Sequence, residues 1–125
     1  MENLLEETIK ILKEYRKEIS DIKWIGTYDY YVNIDDFLRV ANTKYDSGCG
    51  GQEVATNLFI VGDDWWLERH EYDGSEWWEF KSIPIKPNKV LPNFKSLTEA
   101  QARENNIDVW GWCSLEKLNG IRKDD

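Results

Sequence analysis

The stretch 65-WWLERHEYDGSEWW-78 decides how the middle of this chain folds. It places two tryptophan pairs on either side of a charged run that contains the dipeptide Asp73-Gly74. Asp-Gly between two such segments is a strong signal for a β-hairpin. We therefore predict antiparallel strands at Trp65–Glu71 and Glu76–Ser82, and the apolar segment Val54–Val61 adds a third strand to make a meander.

Two turn geometries would pair the hairpin strands differently. A two-residue type I′ loop sets Glu71 opposite Glu76, whereas a three-residue turn with a bulge at Gly74 sets His70 opposite Glu76. Like charges directly opposite each other are destabilising, and a histidine facing a glutamate is favourable. The bulged pairing is therefore the predicted one.

The alternation of side chains along a strand sends one indole of each tryptophan pair to each face of the sheet. In the bulged pairing, one face carries Trp66, Glu68, His70, Glu76, Trp78 and Phe80, and the other carries Trp65, Leu67, Arg69, Trp77, Glu79 and Lys81. Neither face is wholly polar. One face is expected to pack on the N-terminal helix, and the other needs cover from the C-terminal segment, a ligand or another protein.

The sequence before the hairpin predicts two helices and one more strand. Apolar residues at helical spacing predict an amphipathic helix within residues 1–20. Residues 23–82 are predicted to form the sheet, with Lys23–Val32 as one strand that has a possible bulge at Gly26. A short helix over 34–42 begins after the capping residue Asn33, and the glycine-rich run DSGCGGQ at 46–52 is a loop.

The C-terminal third predicts a connector and short helices. Residues 83–95 contain all three prolines and are rich in lysine, which is typical of an extended basic connector. Within 96–120, Ser96–Glu99 resembles a capping box for a helix to about Asn105, Ile107–Trp112 is a candidate strand, and Ser114–Asn119 is a short helix that Gly120 stops. The predicted fold class is α+β: an antiparallel meander of about four to five strands, packed with the N-terminal amphipathic helix and short C-terminal helices. The length of 125 residues indicates one domain over 1–125.

The acidic charge is concentrated in the middle of the chain. Residues 24–79 hold twelve acidic and three basic residues, whereas the whole chain has a net charge of −8. Such a surface would attract a basic partner and repel nucleic-acid phosphates, whose binding needs clustered lysine and arginine. The alternative is that the charge serves solubility alone.

The N-terminal sequence and the cysteines indicate a cytoplasmic protein. MENLLEETIK is acidic and amphipathic, unlike a secretory signal peptide, and no run reaches the roughly 18 apolar residues that cross a bilayer. Cys49 and Cys113 are too few for a disulfide framework and are expected to be free thiols.

Patterns for catalysis or cofactor binding are weak. Cys49 and His70 could form a nucleophile and base, but the sequence supplies no third group to orient them. Gly48, Gly50 and Gly51 lack the spacing of a phosphate-binding loop. Glu68 and Glu76 are a conceivable carboxylate pair for glycoside hydrolysis in a chain too short for a deep cleft.

Candidate metal ligands also lack a recognised arrangement. They are Asp63, Asp64, Glu68, His70 and Glu71. Because Glu68 and His70 share one strand face while Glu71 points away, and because no EF-hand or HExxH spacing occurs, no metal site is predicted. We expect a protein that is not an enzyme and has no catalytic residues, metal or cofactor.

The run 46-DSGCGGQEVATNLFIVGDDWWLERHEYDGSEWWEFKSIP-84 resembles small uncharacterised proteins of phages and prophages in Gram-positive bacteria. The resemblance covers roughly residues 24–85 and brings no catalytic motif with it. Small acidic phage proteins of this kind include inhibitors of bacterial immunity, anti-CRISPR proteins among them. The resemblance thus implies an anti-defence protein in the host cytoplasm, without a named target.

The leading functional hypothesis is a non-enzymatic inhibitor that places an acidic, tryptophan-rich surface against a basic nucleic-acid-binding groove of a host defence nuclease. Its predicted binding residues are Asp63, Asp64, Trp65, Glu68, Arg69, Glu71, Asp73, Glu76, Trp77 and Glu79. The main alternative is a nucleotide-signal binding protein with a tryptophan-lined pocket, in which Arg69 or basic residues of 86–95 meet phosphate. A homodimer through the spare aromatic face is a third possibility. No direct contact with nucleic acid or membrane is expected.

Overall fold

The computed structural model describes residues 1–48 and 50–121. By its internal contacts the chain divides into two compact units, Met1–Pro84 and Ile85–Asp125, which are described separately. The division falls inside the predicted connector 83–95. That the chain is a single domain stays a prediction. Cys49 and the C-terminal RKDD, 122–125, lie outside the described residues.

The helices and strands of the first unit are, in chain order, β1 (Glu2–Asn3), α1 (Leu4–Glu14), a 3-10 turn (Ile19–Asp21), β2 (Trp24–Gly26), β3 (Tyr31–Val32), α2 (Ile34–Ala41), β4 (Lys44–Tyr45), β5 (Phe59–Val61), β6 (Trp65–Tyr72) and β7 (Ser75–Ser82). Those of the second unit are α3 (Glu99–Glu104) and α4 (Leu115–Leu118). Helices and antiparallel strands in one chain confirm the predicted α+β class.

The main sheet has five antiparallel strands in the order β3-β2-β5-β6-β7. Because β5, β6 and β7 are consecutive in the chain and in the sheet, the predicted meander is confirmed. β1 and β4 pair separately as a two-stranded sheet. The strand predicted at Val54–Val61 is shortened to β5, and the backbone N–H of Val54 donates to the side chain of Glu76.

One hydrophobic core lies between this sheet and the helices α1 and α2. Its buried side chains include Leu4, Leu12, Phe37 and Ala41 from the helices, and Ile25, Ile60, Trp65, Leu67 and Trp78 from the sheet. The indole N–H of Trp78 donates to the hydroxyl of Thr8 on α1 at 2.9 Å, which satisfies both groups inside the core. We call the sheet face on this side the core face and the opposite one the outer face.

The β6–β7 hairpin has the type I′ register, so the predicted bulged register is wrong. Asp73 and Gly74 have φ of 51° and 86°, the left-handed pair that a type I′ turn requires. Glu71 therefore lies opposite Glu76. The repulsion between the two glutamates is offset because Arg69, on the same face, binds the Glu76 carboxylate at 2.7 Å and neutralises its charge.

The second like-charge pair of this register also has polar partners on its own face. Glu68 lies opposite Glu79 on the outer face. His70 contacts both carboxylates, Glu68 at 2.9 Å and Glu79 at 3.4 Å, and Lys81 contacts Glu79 at 3.2 Å. Diagonal neighbours on the same face therefore decide the register, whereas the prediction weighed directly opposed pairs alone.

The type I′ register also changes the membership of the two faces. The core face carries Trp65, Leu67, Arg69, Glu76, Trp78 and Phe80, and the outer face carries Trp66, Glu68, His70, Trp77, Glu79 and Lys81. Each tryptophan pair still sends one indole to each face. Trp65 and Trp78 are 3% exposed, whereas Trp77 is 38% exposed.

The segment predicted as one strand, Lys23–Val32, is a short hairpin of β2 and β3. The hydroxyl of Thr27 accepts the backbone N–H groups of Asp29 and Tyr30, which folds the chain back after Gly26. A Cβ on Gly26 would lie 2.1 Å from the carbonyl oxygen of Tyr30, so this close approach requires glycine. The tight turn replaces the predicted bulge.

Asparagine side chains cap the first two helices, and the cap predicted at Asn33 is one of them. The side chain of Asn3 accepts the N–H of Glu6, and that of Asn33 accepts the N–H of Asp36. α2 matches the predicted helix at 34–42 within a residue. α1 is shorter than the predicted block 1–20, because the chain leaves the helical conformation at Tyr15 and Arg16 has φ of 59°.

In the second unit, the predicted capping box is displaced by two residues. Thr98 caps α3 and exchanges hydrogen bonds with Gln101, whereas Ser96 is buried and its hydroxyl accepts from Asn105. The predicted strand at Ile107–Trp112 is wrong: Gly111 and Trp112 have φ of 50° and 58°, which is incompatible with an extended strand.

The short C-terminal helix is confirmed as α4. Ser114 caps it, and Gly120 with φ of 77° follows its end. Buried Asn119 ties it to the start of the unit: its carbonyl oxygen accepts the N–H groups of Lys95 and Ser96, and its amide donates to the carbonyl of Ser96. A small core of Ala102, Val109 and Leu118 completes the unit.

Among the helices of residues 1–48 and 50–121, none has the length and apolar character needed to cross a membrane.

Candidate binding surface

The outer face of the sheet carries an aromatic cleft. Strand alternation places Trp24, Phe59, Val61 and Trp66 there, because Ile25, Ile60 and Leu67 between them point into the core. The side chains that line the cleft are Trp24, Tyr28, Phe59, Val61, Trp66 and Glu68. Its volume is about 330 Å³. Both helices of the first unit contribute to the core and thus lie on the opposite side of the sheet.

The strand register sets the order of residues in the cleft. Val61 pairs with Trp24 on one side and with Trp66 on the other, so the two indoles flank one aliphatic side chain. Phe59 pairs with Glu68 in the next row. The ring of Tyr28 meets that of Phe59 edge to face, with centroids 5.0 Å apart and planes 72° apart, which is a favourable aromatic geometry.

Glu68 is the acidic group of the cleft. One of its oxygens accepts the indole N–H of Trp66 at 2.7 Å, and the other contacts Nε2 of His70 at 2.9 Å. The hydrogen bond from Trp66, above all, and the nearby His70 lower the pKa of Glu68. The carboxylate is therefore ionised at neutral pH, and its bond to Trp66 fixes the orientation of that indole.

A second polar cluster lies on the core face and is buried. Arg69, whose side chain is fully buried, donates to Glu7 at 2.9 Å, to Glu76 at 2.7 Å and to the hydroxyl of Tyr45 at 3.1 Å. Tyr45 in turn donates to Glu7. The guanidinium also lies 4.8 Å from the ring centroid of Trp78. We call Glu7, Tyr45, Arg69 and Glu76 the arginine cluster; it joins α1, β4, β6 and β7.

The protonation of the arginine cluster follows from its surroundings. Burial opposes the charge of Arg69, but its hydrogen bonds to Glu76 and Tyr45 and the charge of Glu7 outweigh it, so the pKa of Arg69 is raised. Burial and the hydrogen bond to Glu7 raise the pKa of Tyr45 to about 12. At neutral pH the cluster holds a charged guanidinium and a neutral phenol.

Glu76 also fixes the loop that precedes β5. Its oxygens accept the backbone N–H groups of Glu53 at 2.6 Å and Val54 at 3.2 Å. Its own N–H donates to the carbonyl of Ser47 at 3.0 Å. The carboxylate is therefore a structural anchor for the described part of this loop.

The structure separates the predicted binding residues into three groups. Trp65, Arg69 and Glu76 are buried on the core face, so they cannot contact a partner directly, and the type I′ register is what places Glu76 there. Glu68, Trp77 and Glu79 lie on the outer face. Asp63 and Asp64 are exposed between β5 and β6, and Glu71 and Asp73 are exposed at the far end of the hairpin.

The prediction missed most of the cleft. Trp24, Tyr28, Phe59 and Trp66 were not among the candidates. The alternation of an aromatic residue with isoleucine, Trp24-Ile25 and Phe59-Ile60, was a signal for one buried and one outward side chain in each strand. Tyr28 lies in a turn, and no sequence pattern indicates its contact with Phe59.

Neither chemistry nor comparison assigns an activity to these groups. In the described ranges 1–48 and 50–121, no group of three or more His, Cys, Asp or Glu side chains could hold a metal ion. Cys49, the candidate nucleophile, is outside them, and Cys113 is a free thiol. No protein-family model matches the chain, and comparisons with curated proteins and with solved structures find no match either.

Proposed function

We propose that this chain is a non-enzymatic binding protein of the phage type that inhibits a bacterial defence nuclease, as anti-CRISPR proteins do. The observation that carries the proposal is the aromatic cleft beside ionised Glu68 on the outer face. Exposed aromatic patches with polar rims mark contact surfaces, and tryptophan and tyrosine supply much of the binding energy of protein interfaces.

The exposed acidic residues of the first unit favour a basic partner. The accessible acidic residues of the original hypothesis are Asp63, Asp64, Glu68, Glu71, Asp73 and Glu79. Trp77 remains an anchor, while Trp24 and Trp66 take the part first given to the buried Trp65. A basic nucleic-acid-binding groove of a nuclease complements such a surface, and opposite charges would speed the encounter.

In this proposal the protein acts in the cytoplasm of the host bacterium. It needs no cofactor or metal, and it occupies the nuclease groove in place of nucleic acid without binding nucleic acid or membrane itself. This part of the proposal rests on the resemblance of residues 24–85 to phage proteins and on the net charge of −8.

A second candidate function is sequestration of a small aromatic molecule. The cleft of about 330 Å³ matches the lower end of the range for ligand sites, about 300–1,000 Å³. A nucleotide signal is less suited than a phosphate-free ligand, because Arg69, the expected phosphate partner, is buried on the other face. Quenching of tryptophan fluorescence by a nucleotide panel tests this candidate, and light scattering tests a homodimer through the outer face.

DNA cleavage by a panel of purified defence nucleases, CRISPR nucleases included, tests the proposal. We expect the protein to inhibit at least one of them. The double variant Glu71→Lys/Asp73→Lys should weaken inhibition more than about tenfold, because it sets like charges against the basic groove. The matched control Glu14→Lys/Glu104→Lys changes the net charge equally at exposed helical positions and should inhibit like the parent.

Two results contradict the proposal. One is a panel in which no nuclease is inhibited and none is retained by the immobilised protein. The other is equal inhibition by the parent and by both double variants, because that result would show that Glu71 and Asp73 take no part in the interaction.

A further inference from the structure

The strand pairing places the two tryptophans of the cleft on either side of one strand. Trp24 and Trp66 stand on strands that both pair with β5, at positions that both face Val61. Neighbouring strands lie about 4.8 Å apart, so the two Cα atoms are separated by roughly 10 Å. That leaves room for one planar group with a contact of about 3.5–4 Å on each side.

The polarity of the cleft selects a cation. The only hydrogen-bond donor of the Trp66 side chain is used by Glu68, so Trp66 offers its π face to a guest while the carboxylate offers negative charge. Aromatic faces and an ionised carboxylate both attract positive charge. The pairing of Phe59 with Glu68 keeps this charge one row from the two indoles.

Anionic guests are disfavoured by the same surroundings. None of the six lining side chains is basic. The nearest lysines along these strands are engaged with acids, Lys23 with Asp63 at 3.7 Å and Lys81 with Glu79 at 3.2 Å. A phosphate or carboxylate in the cleft would therefore face the ionised Glu68 with no basic side chain among the lining residues.

We propose that the cleft receives an arginine side chain of the partner protein, stacked against Trp24 and Trp66 with Glu68 as its counter-charge. Arginine fits better than lysine, because its guanidinium is planar, stacks on aromatic rings and is less strongly hydrated. The inference rests on the proposed function and deepens it, since it names the contact by which a basic nuclease surface is recognised.

The test is an NMR titration of the full chain that follows the tryptophan indole N–H signals. The probe is a blocked heptapeptide with one arginine among glycines and serines, and its control carries citrulline, which has nearly the same shape and no charge. We expect saturable shifts at Trp24 and Trp66 with the arginine peptide and binding at least about fivefold weaker with citrulline.

Variants locate the binding site. Glu68→Gln should weaken arginine-peptide binding about threefold to fivefold, as for a half-exposed ion pair, and Trp24→Leu about fivefold or more. The matched controls Glu14→Gln and Trp110→Leu change an exposed acid and an exposed indole elsewhere and should leave the affinity unchanged. The amide spectrum of each variant verifies its fold.

The inference is overturned if the two peptides give equal shifts, or if Glu68→Gln and Trp24→Leu bind the arginine peptide like the parent. Nuclease inhibition is a separate readout. If the protein inhibits a nuclease but does not bind the arginine peptide, arginine binding in the cleft is excluded and the proposed function is not. If the protein binds the arginine peptide but inhibits no nuclease, arginine binding in the cleft is supported and the proposed function is excluded.

Discussion

Replacing Arg69 by methionine is the sharpest test of the arginine cluster, because it removes a fully buried cation and leaves the fully buried carboxylate of Glu76 without its partner. Leaving one member of a buried ion pair uncompensated costs about 3–5 kcal/mol. Small domains unfold with about 5–15 kcal/mol, so Arg69→Met is expected to remove a large part of the total stability.

A double-mutant cycle separates this penalty from the loss of contacts. Glu76→Gln removes the buried negative charge and keeps one oxygen, which can accept the N–H of Glu53 or that of Val54. We expect Arg69→Met/Glu76→Gln to be more stable than Arg69→Met alone, with a coupling energy of about 2–3 kcal/mol.

Urea unfolding supplies the measurement, with far-UV circular dichroism for the whole chain and the indole signal of Trp78 as a reporter of the core that Arg69 contacts. With a slope of about 1.5 kcal/mol per molar urea, Arg69→Met should lower the midpoint by about 2–3 M. A shift below about 0.5 M, or strictly additive losses in the double variant, would refute the claim that Arg69 neutralises a buried Glu76.

Three further substitutions test other parts of the fold. Tyr45→Phe should cost about 1–2 kcal/mol. Because the pKa of Tyr45 is raised from 10.0 to about 12 in the folded state, the stability it provides is complete below pH 10.0 and is lost as pH rises to about 12, so the variant should show a flatter pH profile of urea midpoints there. Gly26→Ala places a Cβ 2.1 Å from the carbonyl oxygen of Tyr30 and should cost about 3 kcal/mol, whereas Gly48→Ala, with no atom within 4 Å, should change little. Gly74→Ala forces alanine to φ of 86° and should cost about 1–2 kcal/mol.

Each of these has a result that would contradict it. Parallel pH profiles for the parent and Tyr45→Phe would mean that the phenol titrates alike in both states. Equal urea midpoints for Gly26→Ala and Gly48→Ala would argue against the close approach of β2 and β3. A Gly74→Ala variant as stable as the parent would argue against the type I′ turn.

Local signals in the sequence were sufficient for the elements that depend on them. Asn33 and Ser114 accept a backbone N–H at the start of α2 and α4, as capping residues do, and Asp73-Gly74 marked the turn of the hairpin. The register could not be derived from directly opposed pairs alone, because Arg69 and His70 contact carboxylates diagonally across the two strands. Arg69 also donates to Glu7, which α1 brings from 62 residues away in sequence. Long-range contacts of this kind leave no local pattern.

The cleft shows the same limit. Its rows follow from strand alternation once the order β2-β5-β6 is known, but β2 and β5 are separated in the chain by β3, α2 and β4. The sequence therefore indicated that an aromatic face exists on the hairpin, and it could not indicate that Trp24 and Phe59 join it. Trp66, and not Trp65, shares the outer face with Trp77, because the strands pair in the type I′ register.

The hydrogen bonds that Glu76 accepts from Glu53 and Val54 bear on how these two residues exchange their amide protons. A surface loop ordinarily exchanges its amide protons through local fraying, independently of the domain that carries it. Here the two amides can reach solvent only by releasing a carboxylate that is also the buried counter-ion of Arg69. Hydrogen–deuterium exchange at these two positions should therefore be nearly as slow as in the middle of β6, and the two residues should open together with the core as one cooperative unit.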